Sequence, residues 1–306
     1  MALPTPPTEL PRCFLIDGPI YFFRAWFALP QDISHPNGNI ISGAMGFTRF
    51  ILELLGKHKP SHVLIAFDES LHQGLRNDIF PAYKQSRVMA DETVAFQLSL
   101  CQQIAQQLGV KVLVSKRYEA DDLLAGAAAI SRAAGFANTV ISRDKDLVQI
   151  VQNPEDRWWA YPAEAPKDTQ ALTEMWGVAP DQIGDFLALA GDSSDDIPGV
   201  KAVGAKTAVS LLNEWRSIDG ILANIDTVAT SKLRGAKRIA NNIREGEEQL
   251  RVSQQLSQVY PEGAQLKNID ELRWAGPRAG ASEFFATNGL QRYSTWLTRL
   301  EQVYGA

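Results

Sequence analysis

The stretch that decides the fold is EADDLLAGAAAISRAAGFANTVISRDKD, residues 119–146. Its first half is rich in alanine and leucine, and it extends from Glu119 to Gly135 with the start and stop signals of a helix. Residues 139–142 then form a short apolar run that is typical of a buried strand. This strand runs directly into Asp144 and Asp146, so the stretch predicts a helix, a strand and a pair of acids at the carboxyl end of the strand.

The same arrangement occurs twice nearer the amino terminus. Residues 13–16 are apolar and end at Asp17-Gly18, which indicates a strand followed by a turn. Residues 62–67 (HVLIAF) form a second run of the buried type and end at Asp68. Each predicted strand therefore carries an acid at its tip.

Helices are predicted between these strands. Apolar side chains recur at helical spacing over residues 42–59, and again from a candidate N-cap at Asp91 to a stop at Gly109. A third strand is expected at residues 110–114. This βαβα alternation predicts a parallel sheet with helices on both faces, whose ligand site lies beyond the carboxyl ends of the strands.

Beyond about residue 175 the pattern becomes helical, with segments at 181–190, 205–215, 218–224 and 233–251. We therefore expect a flexible proline-rich tail at residues 1–12, an α/β domain at 13–180 and a helical region at 181–306.

Composition limits the classes of protein to consider. The chain has 306 residues, of which 45% are hydrophobic, and this excludes global disorder. Two cysteines, Cys13 and Cys101, cannot build a multi-disulfide scaffold or a four-thiolate zinc site. The sequence contains neither a signal-peptide pattern nor an apolar run of about 18 residues, so we expect a soluble cytoplasmic protein without a membrane partner.

A net charge of −5 argues at first against a nucleic-acid partner. Nine of the acids, however, follow strand ends or form spaced pairs. A single Asp after a strand is usually a turn residue or a helix cap, but nine together favour a site. The nine are Asp17, Asp68, Glu119, Asp121, Asp122, Asp144, Asp146, Asp192 and Asp195.

Clustered carboxylates repel one another unless cations neutralise them. Oxygen-only ligands indicate hard ions, here two Mg²⁺ or Mn²⁺, and two such ions about 4 Å apart are the usual apparatus for phosphodiester hydrolysis. The histidines show no zinc-binding spacing, and the sequence contains neither a P-loop nor a GxSxG motif.

A second motif is IPGVKAVGAKTA, residues 197–208, which fits a helix-hairpin-helix. Gly199 and Gly204 would form the hairpin, whose amides would face a DNA phosphate, and Lys201 and Lys206 flank the turn. The alternative is a purely structural pair of helices. Further bases lie in residues 231–244, where a solvated helix face is an equally good interpretation; the DNA contacts expected there are Lys232 and Arg234.

A third motif joins basic and aromatic residues in the non-periodic segment 70–90. Arg76, Tyr83, Lys84 and Arg87 form a patch that can bind phosphate and stack on a base. The alternative is a bland surface loop.

In combination these motifs resemble the 5′ nucleases of the flap endonuclease superfamily, in particular the 5′→3′ exonuclease domain of bacterial DNA polymerase I. The resemblance runs in order from about residue 13 to 255. It is carried by Asp17-Gly18 with Tyr21 and Arg24, Phe67-Asp68, Tyr83-Lys84 with Arg87, Glu119-Ala-Asp-Asp122, Asp144-Lys-Asp146, Phe186 through Asp195, and Ile197 through Ala208.

The resemblance implies a PIN-like nuclease domain at 13–180, a helical arch over the active site around residues 70–100, and a helix-hairpin-helix around 197–213 that can bind K⁺ and duplex DNA. Lys84 and Arg87 would steer the scissile phosphate onto the ions, Arg24 would assist, and Tyr83 would stack on the unpaired terminal base. One metal pocket would be lined by Asp17, Asp68 and Glu119, the other by Asp144, Asp146, Asp192 and Asp195, with Asp121 and Asp122 between them.

Some positions depart from the family pattern. Pro19 replaces a small hydroxyl residue, Arg143 replaces a glycine, Asp196 stands where Asn is common, and Val88-Met89-Ala90 replaces a proline-rich turn. These changes bear on substrate handling more than on catalysis, since all nine acids are present.

We therefore expect a stand-alone, monomeric, metal-dependent 5′→3′ exonuclease and flap endonuclease. Its substrates would be DNA flaps, nicks and frayed ends, with RNA–DNA hybrids as a further substrate and a DNA polymerase or ligase as a partner. Two alternatives remain open at this point: a catalytically quiet protein that binds DNA junctions, and a PIN-type ribonuclease.

Overall fold

The computed structural model describes residues 10–69, 72–87 and 91–304. Most of the predicted tail at 1–12 and the departure at Val88-Met89-Ala90 lie outside the described residues. The predicted arch around 70–100 is described only in part.

The centre of the molecule is a parallel sheet of five strands in the order β3-β2-β1-β4-β5. This confirms the predicted α/β class and the parallel sheet. The edge strand β5 contains Trp158 and Trp159, both buried, which pack against the sheet. The strands are β1 (Arg12–Asp17), β2 (His62–Asp68), β3 (Lys111–Ser115), β4 (Ala137–Ile141) and β5 (Arg157–Trp159).

Helices cover both faces of the sheet and form the carboxyl-terminal half of the chain. They are α1 (Gly18–Ala28), α2 (Ser42–His58), α3 (Leu75–Ile79), α4 (Glu92–Gln107), α5 (Ala120–Ala133), α6 (Thr169–Trp176), α7 (Ile183–Ala190), α8 (Ala205–Trp215), α9 (Ile218–Ala223), α10 (Ile225–Thr230), α11 (Ala236–Glu245), α12 (Glu247–Ser257), α13 (Ala281–Thr287) and α14 (Ser294–Tyr304).

Two helical predictions need correction. The turn predicted after Asp17 is a helix, α1, because the Asp17 carboxylate caps it by accepting from the Ile20 N–H and Pro19 fits the first turn. The single helix predicted at 233–251 is divided into α11 and α12, which meet at Gly246.

Alternation along the strands builds two hydrophobic cores. Leu15 of β1 and Leu64 of β2 face α5 and helices of the carboxyl-terminal half. Ile16 and Ile65, one residue further on, face α1, α2, α4 and α14. The sheet is therefore buried on both faces, as a parallel sheet requires, and its strand ends are held rigidly. None of the helices in the described ranges has the length and apolar character needed to cross a membrane.

The parallel arrangement brings acids from distant parts of the sequence to one edge of the sheet. Neighbouring strands β1 and β2 end at Asp17 and Asp68. The segment after β4 supplies Asp144 and Asp146, and the start of α5, which follows β3, supplies Asp121.

The turn from β1 into α1 has no room for a side chain. A Cβ added at Gly18 would lie 2.7 Å from the Phe67 ring and 2.9 Å from the Ala66 carbonyl oxygen. We expect Gly18→Ala to reduce the free energy of unfolding by about 1–3 kcal/mol, because the Phe67 ring and strand β2 must shift. Urea denaturation measures this change.

Gly56→Ala is the matched control, since its Cβ would meet only a Leu300 methyl group at 3.9 Å. In the last turn of α2, where Gly56 is still helical, alanine should be neutral or stabilising, by up to about 1 kcal/mol. Equal stability of the two variants would show that the β1–α1 turn is not tightly packed.

Candidate functional site

Carboxylates tie the strand ends together. Ser142, which follows β4, donates its hydroxyl to Asp17 Oδ2 at 2.6 Å and accepts from the Asp144 N–H at 2.9 Å. Asp68 Oδ1 accepts from the N–H of Ala120 at the start of α5 at 2.5 Å. The ends of β1, β2 and β4 and the start of α5 are therefore fixed relative to one another by the acids themselves.

These acids repel one another strongly. Burial, reinforced by Asp144 and Asp68, raises the pKa of Asp17 to about 7. Burial and Asp144 raise the pKa of Asp146 to about 7 as well. Burial and four surrounding carboxylates, Asp144 first, raise the pKa of Asp121 well above its ordinary value. Such a cluster is stable in its ionised form only with cations inside it.

The donor set fits a hard divalent cation. It consists of carboxylate oxygens, and Asp146 Oδ1 is buried without a hydrogen-bond partner in the described chain. Across residues 10–69, 72–87 and 91–304, however, no three acidic, histidine or cysteine side chains already surround one ion. Basic side chains of the protein hold several of the carboxylates instead.

Lys84, Arg87 and Lys145 form ion pairs with acids of the site. Lys84 Nζ lies 2.8 Å from Glu119 Oε2 and 3.4 Å from Asp195 Oδ2, and Arg87 also pairs with Asp195. Lys145 Nζ lies 2.6 Å from an oxygen of Asp192.

These ion pairs give the acids of the site different pKa values. Burial alone would raise the pKa of Glu119, but Lys84 and Arg76 hold it below its ordinary value. Burial would likewise raise the pKa of Asp192, which Lys145 and Ser194 keep low. The site therefore divides into two carboxylates whose pKa basic partners keep low, Glu119 and Asp192, and a central group whose pKa is raised. The central group consists of Asp17, Asp68, Asp121 and Asp146, although Lys145 Nζ lies 3.5 Å from Asp146 Oδ1.

The structure corrects the expected DNA contact of Arg76 and the expected metal ligation by Asp122. Arg76 is 5% exposed and Asp122 is fully buried. Two guanidinium nitrogens of Arg76 donate to the two Asp122 oxygens at 2.8 and 2.9 Å, and the same oxygens accept from the N–H groups of Tyr260 and Glu119. This pair joins α3 to α5 and to the end of α12, and it has no capacity left for DNA or an ion.

The expected stacking of Tyr83 on a base is also not met. Its ring is 3% exposed and packs with Ile197 and Leu256. Its hydroxyl lies 3.1 Å from Glu119 Oε2 and 3.2 Å from Asp195 Oδ2, which makes Tyr83 part of the wall of the acidic cleft.

The other expected basic residues lie at the surface. Arg24 on α1 is exposed and donates to the Tyr161 carbonyl at 3.2 Å. The loop between α7 and α8 carries Lys201, and Lys206 follows at the start of α8. These two lysines, together with Lys232 and Arg234, are exposed, and none of the four forms an ion pair within the described part of the chain.

The two glycines of this loop differ in their surroundings. A Cβ at Gly199 would lie 2.5 Å from the Ala190 carbonyl group, so glycine is required for the close approach of the loop to α7. Gly204 caps α8 and has open space around it.

Sequence reasoning missed the roles of Ser142 and Lys145. Ser142 orients Asp17, and Lys145 neutralises Asp192. Both lie within or beside the motif that was identified for its acids, residues 144–146. Nevertheless, their partners are 125 and 47 positions away, which no local pattern predicts.

We predict that Arg76→Ala lowers the free energy of unfolding by about 3–5 kcal/mol, because Asp122 would remain buried as an unpaired charge. Denaturant unfolding measures this loss. Arg117→Ala is the control: its partner Asp78 is solvent-exposed, and stability should hardly change. If Arg76→Ala loses as little stability as the control, Arg76 is not a buried structural residue and the expected DNA contact stands.

The raised pKa values of Asp17, Asp121 and Asp146 predict an unusual pH dependence. In the unfolded chain these acids ionise near about pH 4, whereas in the folded protein the pKa of Asp17 and of Asp146 is about 7 and the pKa of Asp121 is shifted in the same direction. Without metal, the free energy of unfolding should therefore fall as the pH rises through this interval.

Urea unfolding in EDTA at about pH 5.5 and about pH 8 tests the sign of this pH dependence. Added Mg²⁺ should restore stability at the higher pH, because ions bind only the folded site. Greater stability at pH 8 than at pH 5.5 in EDTA would contradict the assigned repulsion.

Comparisons with known proteins cover most of the chain. The family model described as 5′-3′ exonuclease, N-terminal resolvase-like domain matches residues 12–177. The model described as 5′-3′ exonuclease, C-terminal SAM fold matches residues 178–279.

Among curated proteins, the chain is 34% identical to DNA polymerase I of Mycobacterium tuberculosis over 224 residues, which is 71% of this chain and 24% of the relative. It is 31% identical to DNA polymerase I of Bacillus caldotenax over 269 residues, 87% of this chain and 30% of the relative. The chain thus spans about a quarter to a third of the length of the curated relatives it matches.

Solved structures show the same fold. T5 5′-exonuclease with bound zinc superposes with a TM-score of 0.67 at 17% identity, covering 94% of this chain and 99% of that one. T5 flap endonuclease in complex with DNA and metal ions gives 0.62 at 17% identity, covering 96% and 100%. These likenesses confirm the predicted PIN-like fold, and with the matched domains they show that the chain belongs to the 5′-3′ exonuclease family.

Proposed function

We propose that this chain is a divalent-metal-dependent nuclease that hydrolyses phosphodiester bonds near 5′ ends, flaps and nicks of DNA. The observation that carries the proposal is the convergence of Asp17, Asp68, Asp121, Asp144 and Asp146 at one edge of the sheet, with raised pKa values at four of them, all but Asp144. Membership of the 5′-3′ exonuclease family supports the same reaction.

Two Mg²⁺ or Mn²⁺ ions are the proposed cofactors. The carboxylates of the sheet edge would hold them together with Glu119, Asp192 and Asp195, once these three are free of basic partners. The ions would supply Lewis-acid stabilisation of the phosphodiester during hydrolysis. The metal-bound T5 structures support this assignment.

The chain's own residues have two tasks in this reaction. Lys84 and Arg87 place positive charge against Glu119 and Asp195, so they are the groups proposed to hold a phosphate there. Arg24 projects from α1, which Asp17 caps, and is the proposed contact for the neighbouring phosphate.

The α7–α8 loop is the proposed grip on duplex DNA. Gly199, Lys201, Gly204 and Lys206 belong to it or border it, and exposed bases without ion-pair partners are suited to phosphate. Lys232 and Arg234 would extend the contact. The proposal includes the assignment of this loop and its helices as a helix-hairpin-helix and the binding of K⁺ there. It also includes DNA as the partner, which the T5 complex with DNA supports.

We propose further that nuclease and helical regions divide near residue 180, at 13–180 and 181–306, in line with the matched domains. We propose that the enzyme is monomeric and cytoplasmic. It would work with a DNA polymerase or ligase and would also accept RNA–DNA hybrids. The free, buried thiols of Cys13 and Cys101 are consistent with a reducing compartment.

Asp121→Asn tests the metal site. We expect the cleavage rate on a 5′-flapped duplex to fall by at least about 100-fold, because a central ligand charge is lost. The free energy of unfolding in EDTA should rise instead, because repulsion with Asp144 and Asp17 is relieved.

Asp270→Asn is the control, since Asp270 is exposed and lies beside Arg273, which bridges to the opposite end of β2. Cleavage by Asp121→Asn at the rate of this control would sink the metal assignment. Preference for single-stranded RNA over the flapped duplex would favour a PIN-type ribonuclease instead.

The double variant Lys201→Ala/Lys206→Ala tests whether the α7–α8 loop binds duplex DNA. Binding to a nicked duplex should weaken, and its logarithmic salt dependence should become shallower by about 2, one unit for each lost phosphate contact. The bond that is cut should not change. Lys267→Ala is the control, because Lys267 is exposed. If the double variant has the same affinity and salt dependence as this control, the loop has only a structural role.

A further inference from the structure

The acidic cleft is closed by a piece of the chain itself. Residues 76–87, here called the cationic segment, place Lys84 between Glu119 and Asp195 and add Arg87 to Asp195. Lys84 is buried despite its charge. A buried ammonium group of this kind is stable only because carboxylates surround it.

Backbone contacts hold the segment down as well. The Lys84 N–H donates to the Asp195 carbonyl at 3.0 Å, and the Ser86 N–H donates to Asp196 Oδ2 at 2.8 Å. Arg87 Nε donates to the Ser194 carbonyl at 3.3 Å. The loop after α7 thus binds the far end of the segment through three successive residues.

One residue on each side of these contacts, Lys84 in the segment and Asp196 in the loop after α7, is in the left-handed region of backbone conformation. Lys84 has a φ of 53° and Asp196 a φ of 56°. Such values cost a non-glycine residue free energy and persist only where surrounding contacts impose them, and they are cheaper for Asp than for Lys. The docked conformation of Lys84 is therefore imposed by its contacts.

The near end of the segment has a different anchor. Arg76 is buried in its pair with Asp122 and also donates to the Leu256 and Gln258 carbonyls. Arg76 Nη1 also lies 3.6 Å from Glu119 Oε2. Its pair with Asp122 and its two carbonyl contacts, however, involve neither Glu119 nor Asp195. A change at the cleft can therefore release Lys84 and Arg87 while Arg76 stays fixed.

Lys84 and divalent cations compete for the same atoms. Glu119 Oε2 and both oxygens of Asp195 are taken up by Lys84 and Arg87, and an oxygen in contact with an ammonium or guanidinium group cannot also coordinate an ion closely.

We propose that the cationic segment is a tethered plug that neutralises the cleft when metal is absent and is displaced when divalent cations bind. Metal loading would then free Lys84 and Arg87 to face a phosphate, so that metal and substrate bind in order. Asp196 acts as a positioning residue that latches the plug through Ser86. The inference rests on the proposed metal site.

Hydrogen exchange without DNA tests the plug. Saturating Mg²⁺ should accelerate exchange of the Lys84 and Ser86 amides at least about tenfold, because both lose their acceptors. The Phe80 amide, which donates to the Arg76 carbonyl, should not change. Calorimetry on the same samples shows whether Mg²⁺ binds at all.

Variants of Asp196 test whether loss of this acid strengthens or weakens Mg²⁺ binding. Simple electrostatics predicts that removing this acid weakens Mg²⁺ binding, whereas loss of a latch predicts binding tighter by about tenfold in Asp196→Gly, since the competitor is released. Glycine also tolerates the positive φ. Asp196→Asn keeps an acceptor for Ser86 and should bind Mg²⁺ no more tightly than the wild type.

Faster exchange at Lys84 and Ser86 together with tighter binding by Asp196→Gly supports the plug. Mg²⁺ binding with unchanged or slower exchange, or weaker binding by Asp196→Gly, overturns the plug and leaves the proposed nuclease intact. No detectable Mg²⁺ binding by the wild type would overturn both.

Discussion

Repulsion among carboxylates at one edge of the sheet is the constraint on which the rest of the structure depends. Parallel strands bring Asp17 and Asp68 side by side, and the segments that follow β3 and β4 add Asp121, Asp144 and Asp146. Burial prevents water from screening these charges, so the pKa values rise and the folded state pays in stability. A protein keeps such an arrangement where cations are to be bound.

The remainder of the fold supports this unfavourable cluster. Two hydrophobic cores clamp the sheet from both faces, and buried polar contacts fix the acids where packing alone would let them separate. Ser142 bridges β4 to Asp17, and the Arg76–Asp122 pair joins α3 to α5. Lys84, Arg87 and Lys145 place positive charge against Glu119, Asp195 and Asp192.

Much of the fold could be predicted from sequence, because strand ends are local features. The apolar runs ending at Asp17, Asp68 and Asp144 predicted the parallel sheet and its acidic edge. The pairing of Arg76 with Asp122 could not be predicted, since these residues are 46 positions apart and each alone fits a functional motif. Helix α1 was missed because Asp17-Gly-Pro has the composition of a turn, although it is also a good helix start.

The central claim is that the acids at the sheet edge hold divalent cations. Crystals of the protein soaked in Mn²⁺, measured at the manganese absorption edge, test it most directly. The account predicts two anomalous peaks in the cleft bounded by Asp17, Asp121, Asp146 and Asp192, each coordinated by carboxylate oxygen. Absence of anomalous density there at saturating Mn²⁺, or peaks only elsewhere on the surface, would contradict it.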